Sequence, residues 1–232
     1  NHYCLNLKCQ LKFSIFLMSQ IKNLNVKNYL SSSDLSKDQF LYILKLAQSF
    51  RDETFEYSLK NKVLGLIFNK ASTRTRVSFQ VAMTKLGGTT IDLNPNTSQI
   101  GRGELIKDTA RVMSRYCDAL AIRSFDQNEL VEYSNWTSIP VINALTDLEH
   151  PCQALADFLT IKQEFGDFKD LVLTFIGDGN NVANSLILSG AILGVEVRIA
   201  CPKGFEPHKT IIKKANEIDP KNKIMIINDP EI

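Results

Sequence analysis

From residue 36 onward, the apolar positions alternate between helical periodicity and short continuous runs. Phe40, Ile43 and Ala47 recur at spacings of three and four residues, which is typical of the buried face of a helix. The run Val63–Phe68 is continuously apolar, as expected for a strand that is buried on both faces. A helix over residues 77–86 follows, and the pair Gly87-Gly88 is expected to end it.

The same alternation continues to the end of the chain. Strands are predicted at 90–93, 119–122, 141–144, 171–176, 195–200 and 223–227, and helices at 104–116, 128–134, 154–165, 182–193 and 210–218. Strands that alternate with helices of this length indicate parallel sheets with helices on both faces. We therefore predict an α/β fold with two doubly wound parallel-sheet domains, joined by a helix, of which the second is incomplete.

The predicted domain boundaries follow from this order. The first domain spans residues 20–150, the segment with the connecting helix 151–168, and the partial second domain 169–232. Residues 1–19 are expected to be a non-native or disordered leader, because the chain starts at Asn1 and Met18 offers a natural start. A signal or transit peptide is disfavoured, since no small-residue cleavage site and no Arg occur in this stretch.

Composition narrows the functional classes. Of the 232 residues, 44% are hydrophobic and 22% are charged, which is ordinary for a globular protein. The 27 Lys and Arg against 25 Asp and Glu leave a net charge of +2, which gives no support for a nucleic-acid binder. No apolar run approaches the roughly 18 residues of a membrane span. Five Cys without a C-x-x-C pair, with three His, favour neither a zinc site nor disulfides, so we expect a soluble, cytoplasmic chain.

The segment 72–76 is a candidate phosphate site. It follows the apolar run Val63–Phe68 and precedes a predicted helix, whose first N–H groups and dipole favour an anion. Its hydroxyl and guanidinium groups, from Ser72, Thr73, Arg74 and Thr75, can donate to phosphate oxygens. The alternative is that the hydroxyls cap the helix and the arginines lie in solvent. For Arg76, a structural ion pair is a further alternative.

Other candidate ligands come after neighbouring strands. Ligands of open α/β sheets bind beyond the carboxyl ends of the strands, where Arg123 and His150 are expected. Pro151 fits the first turn of the next helix, so His150 and Gln153 can flank its start. Alone, His150 would more often be a capping residue, and only its convergence with the phosphate turn favours a ligand role. Cys152 is expected to be inert.

The segment 177–181, Gly-Asp-Gly-Asn-Asn, has the position of a dinucleotide-binding turn. The match to G-x-G-x-x-G fails at Val182, and the following strand ends in Ala200-Cys201-Pro202, without the acidic residue that a ribose requires. We therefore expect an amide-lined turn that binds a small polar substrate.

Several motifs occur together in one order. They are Ser-Thr-Arg-Thr-Arg at 72–76, Ser-Gln-Ile-Gly-Arg-Gly-Glu at 98–104, Asp-Thr-Ala-Arg at 108–111, His-Pro-Cys-Gln at 150–153 and Phe-Ile-Gly-Asp-Gly-Asn-Asn at 175–181. In this combination the chain resembles the carbamoyltransferase family from about residue 20 to its end. Aspartate-specific members carry a lysine-bearing loop in place of 98–104, and both that region and 177–181 look like the ornithine-specific type.

The resemblance implies transfer of the carbamoyl group from carbamoyl phosphate to L-ornithine, which gives L-citrulline and phosphate, without a metal or organic cofactor. It implies that the phosphate is held by Ser72, Thr73, Arg74 and Thr75, and the carbamoyl end by Arg123, His150 and Gln153. Arg123 and His150 would be catalytic and Asn181 would bind ornithine. Gln99 would reach the site of a neighbouring subunit, because members of the family form trimers or multiples of trimers with shared sites.

Two features of the family pattern are not found in this chain. An Asp followed by Ser-Met and a His-Cys-Leu-Pro run fall beyond residue 232, so we expect the chain alone to bind carbamoyl phosphate weakly and to turn over ornithine negligibly. One alternative is a carbamoyltransferase for another acceptor, such as putrescine, N-acetylornithine or aspartate. Another is a non-catalytic α/β scaffold that binds phosphate-bearing ligands.

Overall fold

The computed structural model describes residues 26–52, 58–221 and 223–229. The expectation for the leader, residues 1–19, falls outside these ranges. Within them, the chain forms two parallel sheets with helices against them, which confirms the predicted α/β class. No helix among the described residues is long and apolar enough to cross a membrane.

The first sheet has the strand order β2-β1-β3-β4. Its strands are β1 (Val63–Phe68), β2 (Thr89–Leu93), β3 (Ala119–Arg123) and β4 (Val141–Leu145). The helices of this half are α1 (Lys37–Arg51), α2 (Arg74–Lys85), α3 (Ile106–Tyr116), α4 (Gln127–Trp136) and α5 (Pro151–Phe165). Residues 64–68, 119–122 and 141–145 are buried, because these strands are covered on both faces.

The second sheet has the order β5-β6-β7. It contains β5 (Val172–Ile176), β6 (Glu196–Ala200) and β7 (Ile224–Ile227), with α6 (Asn181–Leu193) and α7 (Lys209–Ile218). Helix α6 is buried from Ala183 to Leu193 and packs against both β6 and α5, so it lies between the two halves of the molecule.

Three helix starts differ from the predicted ones by more than one residue. Helix α2 begins at Arg74, three residues early, and Thr73 before it makes no side-chain capping bond. The sequence therefore lacks the usual sign of a helix start at this place. Helix α5 likewise begins at Pro151 rather than at residue 154, in agreement with the first-turn role expected of this proline. Helix α3 begins two residues late, at Ile106.

The order of the first sheet determines where a ligand fits. The chain leaves β1 towards β2 on one side and later enters β3 on the other side of β1. Such a reversal opens a crevice beyond the carboxyl ends of the two central strands. Phe68 and Arg123, the last residues of β1 and β3, are register partners and lie at this crevice.

Candidate active site

The loops beyond the strand ends are held by further backbone hydrogen bonds. Asn69 N–H donates to Arg123 O at 2.8 Å, and Ser124 N–H donates to Leu145 O at 3.0 Å. Asp147 N–H donates to the oxygen of residue 125 at 3.0 Å. The parallel ladder thus continues into the loops, and the side chains that follow β1, β3 and β4 start from fixed positions on one edge.

The segment 72–76 meets this edge as the start of α2. Thr73 precedes the helix, while Arg74 and Thr75 form its first turn, where backbone N–H groups have no partner within the helix. Arg74 is exposed, Ser72 and Thr75 are partly buried, and their side chains form no hydrogen bond with the other described residues. The alternative in which the hydroxyl of Thr73 caps the helix is not what the structure shows.

Charges on this edge are partly neutralised. Arg76 pairs with Asp92 at 2.5 Å, and its guanidinium stacks over the Phe68 ring at 5.0 Å. Arg76 therefore forms the structural ion pair that was one alternative for this residue. Lys70 pairs with Asp147. Arg74 and Arg123 have no carboxylate partner within the described part of the chain, which leaves two positive charges uncompensated on the edge.

The Arg74 and Arg123 guanidiniums lie within electrostatic range of each other, and Arg123 lies within range of His150. Burial, and then the positive charge of Arg74, lowers the pKa of Arg123. Burial, and then the charge of Arg123, lowers the pKa of His150 to about 3, so its imidazole is neutral at physiological pH. Arg123 Nε and His150 Nδ1 are buried without a hydrogen-bond partner among the described residues. Arg123 is therefore near both Arg74 and His150, and Arg123 Nε and His150 Nδ1 remain available to a ligand.

Residues near His150 lie at the start of α5. His150 is the residue before the helix, and its side chain makes no capping bond. Gln153, one turn later, donates from Nε2 to Asp157 Oδ1 at 2.8 Å. Burial raises the pKa of Asp157 to about 6, against the lowering effect of this hydrogen bond. Cys152 is buried, and its thiol donates to Asn143 O at 3.3 Å.

The remaining two predicted residues lie further from this group in the chain. Gln99 is exposed in a short 3-10 helix, Gln99–Arg102, which follows the edge strand β2. Asn181 begins α6, and its Nδ2 donates to Thr146 O at 2.6 Å. Its amide nitrogen therefore faces the turn that leads to His150.

The sequence does not indicate that three further residues lie near the candidate site. Glu149 is a buried carboxylate beside His150, and it lies in none of the motif types that identify an acid–base pair. Ser185 and Asp157 lie on helices whose apolar pattern explains their position without a function. Only the tertiary contacts bring them to the site.

Comparison with known proteins gives matches in both halves of the chain. Residues 27–163 match the carbamoyl-P binding domain of the aspartate/ornithine carbamoyltransferases, and residues 169–231 match their Asp/Orn binding domain. The chain is 70% identical over 204 residues to an ornithine carbamoyltransferase of Prochlorococcus marinus strain MIT 9312, covering 88% of this chain and 66% of that protein. It thus spans about two thirds of the length of that relative.

Solved structures agree with this. The ornithine carbamoyltransferase of Gloeobacter violaceus is 48% identical with a TM-score of 0.81, over 88% of this chain and 69% of its own. The enzyme of Pyrococcus furiosus is 41% identical with a TM-score of 0.84, over 88% and 67%. Since the first domain profile alone covers more than half of the residues, this chain belongs to the aspartate/ornithine carbamoyltransferase family.

Proposed function

We propose that the edge formed by β1, β3 and β4 binds carbamoyl phosphate, and that the protein transfers its carbamoyl group to L-ornithine. The observation that carries the proposal is the pair Arg74 and Arg123, two uncompensated guanidiniums within range of each other. A bound dianion relieves their repulsion, and the start of α2 adds N–H donors for it. A doubly charged phosphate group therefore fits this edge better than a neutral ligand.

Each candidate ligand has a chemical role in this proposal. Ser72, Thr73, Arg74 and Thr75 hold the phosphate group. Arg123 and the neutral His150 donate to the carbamoyl oxygen, on which negative charge grows as the amine attacks. Gln153 orients the carbamoyl amide, and its own amide is held by Asp157. Donors fixed before the reaction stabilise the transition state without reorganisation.

The reaction balances without a metal or redox partner. The deprotonated side-chain amine of ornithine attacks the carbamoyl carbon, the carbon–oxygen bond to phosphate breaks, and the amine proton leaves with the phosphate. A free alkylamine has a pKa near about 10, so only a small fraction is nucleophilic at neutral pH. Asn181 is the candidate for holding the amino-acid end, through its Oδ1, since Nδ2 is engaged by Thr146.

The acceptor is assigned from the relatives, which are named ornithine carbamoyltransferases. Product analysis with carbamoyl phosphate and one amine at a time tests it. Because the chain alone is expected to turn over ornithine negligibly, we expect only a trace of citrulline from L-ornithine, and no carbamoylated product from putrescine, N-acetylornithine or L-aspartate. Product from one of these three, and none from L-ornithine, would replace the assignment.

Self-association into trimers, or multiples of them, is part of the proposal. Val77 and Val81 on α2 and Ile91 on the edge strand β2 are 49%, 39% and 40% exposed. Helix α2 packs on β2, and Gln99 follows β2 in the chain. If a neighbouring subunit covers these side chains, Gln99 of this subunit would lie close to the site of that neighbour. Sedimentation of the purified chain measures the assembly directly.

The phosphate cradle is tested by Arg74→Ala. We expect this variant to bind carbamoyl phosphate about ten- to a hundredfold more weakly in calorimetry, because a charge-assisted hydrogen bond is lost. Arg115→Ala is the matched control, since Arg115 is an exposed arginine in the last turn of α3, away from the carboxyl edge of the sheet. Equal affinity for the two variants would show that segment 72–76 is a structural turn only.

A further inference from the structure

The turn that carries His150 is held by the second half of the molecule. Three polar side chains on one face of α6 bond to the backbone of residues 146–150. Asn181 Nδ2 donates to Thr146 O at 2.6 Å, and Asn184 Nδ2 donates to Leu148 O at 2.9 Å. Ser185 Oγ accepts from His150 N–H at 2.9 Å. Spacings of three and four residues place all three on the same face of the helix.

A buried carboxylate completes this arrangement. Glu149 is 2% exposed, and its Oε2 accepts from Ser185 Oγ at 3.3 Å and from Ser32 N–H at 2.9 Å. Ser185 therefore accepts from His150 and donates to Glu149. The chain of hydrogen bonds joins three parts of the fold: a 3-10 turn before α1, the loop after β4, and α6.

Burying the Glu149 carboxylate costs free energy, which its hydrogen bonds must offset. No lysine or arginine forms an ion pair with Glu149 among the described residues, and burial raises the pKa of this carboxyl group. A carboxylate without a cation is expensive to bury, and it is tolerated here because it accepts at least two hydrogen bonds. Ser32 N–H and Ser185 Oγ both donate to this carboxylate, and the Ser185 hydroxyl, held by it, accepts from His150 N–H.

We propose that Glu149 and Ser185 are positioning residues, which fix the backbone of His150 so that its imidazole meets the carbamoyl end of the ligand. This rests on the proposed function of the site. Neither residue contacts the ligand in this proposal. Each acts through the N–H of His150, so their loss moves the imidazole and leaves the phosphate cradle at the start of α2 in place.

Two ligands separate these effects. Inorganic phosphate meets only the cradle, whereas phosphonoacetamide, a non-hydrolysable analogue of carbamoyl phosphate, also presents the amide carbonyl. We expect Ser185→Ala to weaken binding of the analogue about five- to tenfold in calorimetry, as for the loss of one hydrogen bond, and to change phosphate binding less than about twofold.

The same helix offers a matched control. Ser189 lies one turn after Ser185, is fully buried, and its hydroxyl has no hydrogen-bond partner among the described residues. Ser189→Ala removes the same atom from the same helix without touching the loop, so both affinities should stay unchanged. Glu149→Gln keeps an acceptor oxygen and should bind like the unchanged chain, whereas Glu149→Leu should behave like Ser185→Ala.

Each outcome decides the matter. If Ser185→Ala binds the analogue as Ser189→Ala does, or loses affinity for both ligands equally, the positioning role is wrong. If the unchanged chain binds phosphate and the analogue equally well, His150 does not recognise the carbamoyl end and the inference falls with it. If the unchanged chain binds neither, the proposed function itself is overturned. Circular dichroism of each variant establishes that it is folded. If Glu149→Leu does not fold, the result for Ser185→Ala decides.

Discussion

Asp157 shows how a single partly buried carboxyl group links the candidate site to the stability of the fold. Its pKa of about 6 lies well above the ordinary value because the side chain is partly withdrawn from water on α5. The only side-chain hydrogen bond described for it comes from Gln153 Nε2. The protein therefore keeps ionised, at neutral pH, a carboxylate that would be more stable in water, and the benefit is a fixed orientation of the Gln153 amide.

Replacing Asp157 by Asn should make this cost visible. The folded pKa is raised, so the contribution of Asp157 to stability is fully present below its unfolded pKa and is lost as the pH rises through about 6. At pH 8 we expect Asp157→Asn to raise the free energy of unfolding by about 2 kcal/mol, and at pH 4 to change it little. Urea denaturation at the two pH values measures the difference.

Glu164→Gln is the control for this change. Glu164 is exposed on the same helix, so its replacement should change the free energy of unfolding little at either pH. A pH-independent effect of Asp157→Asn would mean that the Asp157 carboxyl is not perturbed by burial.

At single residues, the sequence was most informative where a polar side chain follows an apolar run. Arg123 and His150 could be proposed because β3 and β4 are short, mostly apolar segments, whose carboxyl ends can be located. Ser185 and Glu149 could not be found in this way. They are 36 residues apart, and their contact exists only once α6 has packed against the loop after β4.

At the scale of elements, the packing of α6 on β6 depends on a missing side chain. A Cβ added at Gly190 would lie 2.4 Å from Val197 Cγ2 and 3.2 Å from Val195 O. The β-branched side chain of Val197 is fully buried in β6, so it has little freedom to move away. Helix and strand therefore approach each other more closely here than any residue other than glycine permits.

Gly190→Ala measures this close approach. Alanine favours a helix by about 1 kcal/mol over glycine, whereas overpacking costs about 1–3 kcal/mol. Because the neighbouring strand cannot yield, we expect the second effect to win and the free energy of unfolding to fall by about 1 kcal/mol. Chemical denaturation measures it, and Gly190→Ala with Val197→Ala should recover part of the loss. A net gain in the single variant would show that β6 shifts freely.

Strands were predicted more accurately than helix ends. Each predicted strand agrees with the observed one to within one residue at either end, because short runs rich in apolar and β-branched residues are typical of strands. The start of α2 was misplaced because Thr73 does not cap it. That error concerned the proposed phosphate segment itself: Arg74 and Thr75 belong to the first turn of the helix and not to a loop.

At the scale of the whole molecule, we expect the uncompensated charges on the first sheet to make stability depend on anions. A ligand that binds only the folded state adds about 2.7 kcal/mol of stability at a hundred times its dissociation constant. We expect inorganic phosphate to raise the unfolding temperature of the unchanged chain and not that of Arg74→Ala. Sodium chloride at the same ionic strength is the control. An equal rise with both salts would contradict a specific site.

Because of the hydrogen bonds from α6 to residues 146–150, the position of the His150 imidazole depends on two parts of the chain. His150 is attached covalently to the first sheet but oriented by a helix of the second. Proteolytic cleavage in the stretch between α5 and β5, followed by separation of the pieces, would leave recognition of the phosphate with one piece and remove the orientation of the imidazole. In the proposed function, selectivity for the amide half of the ligand would therefore require both pieces.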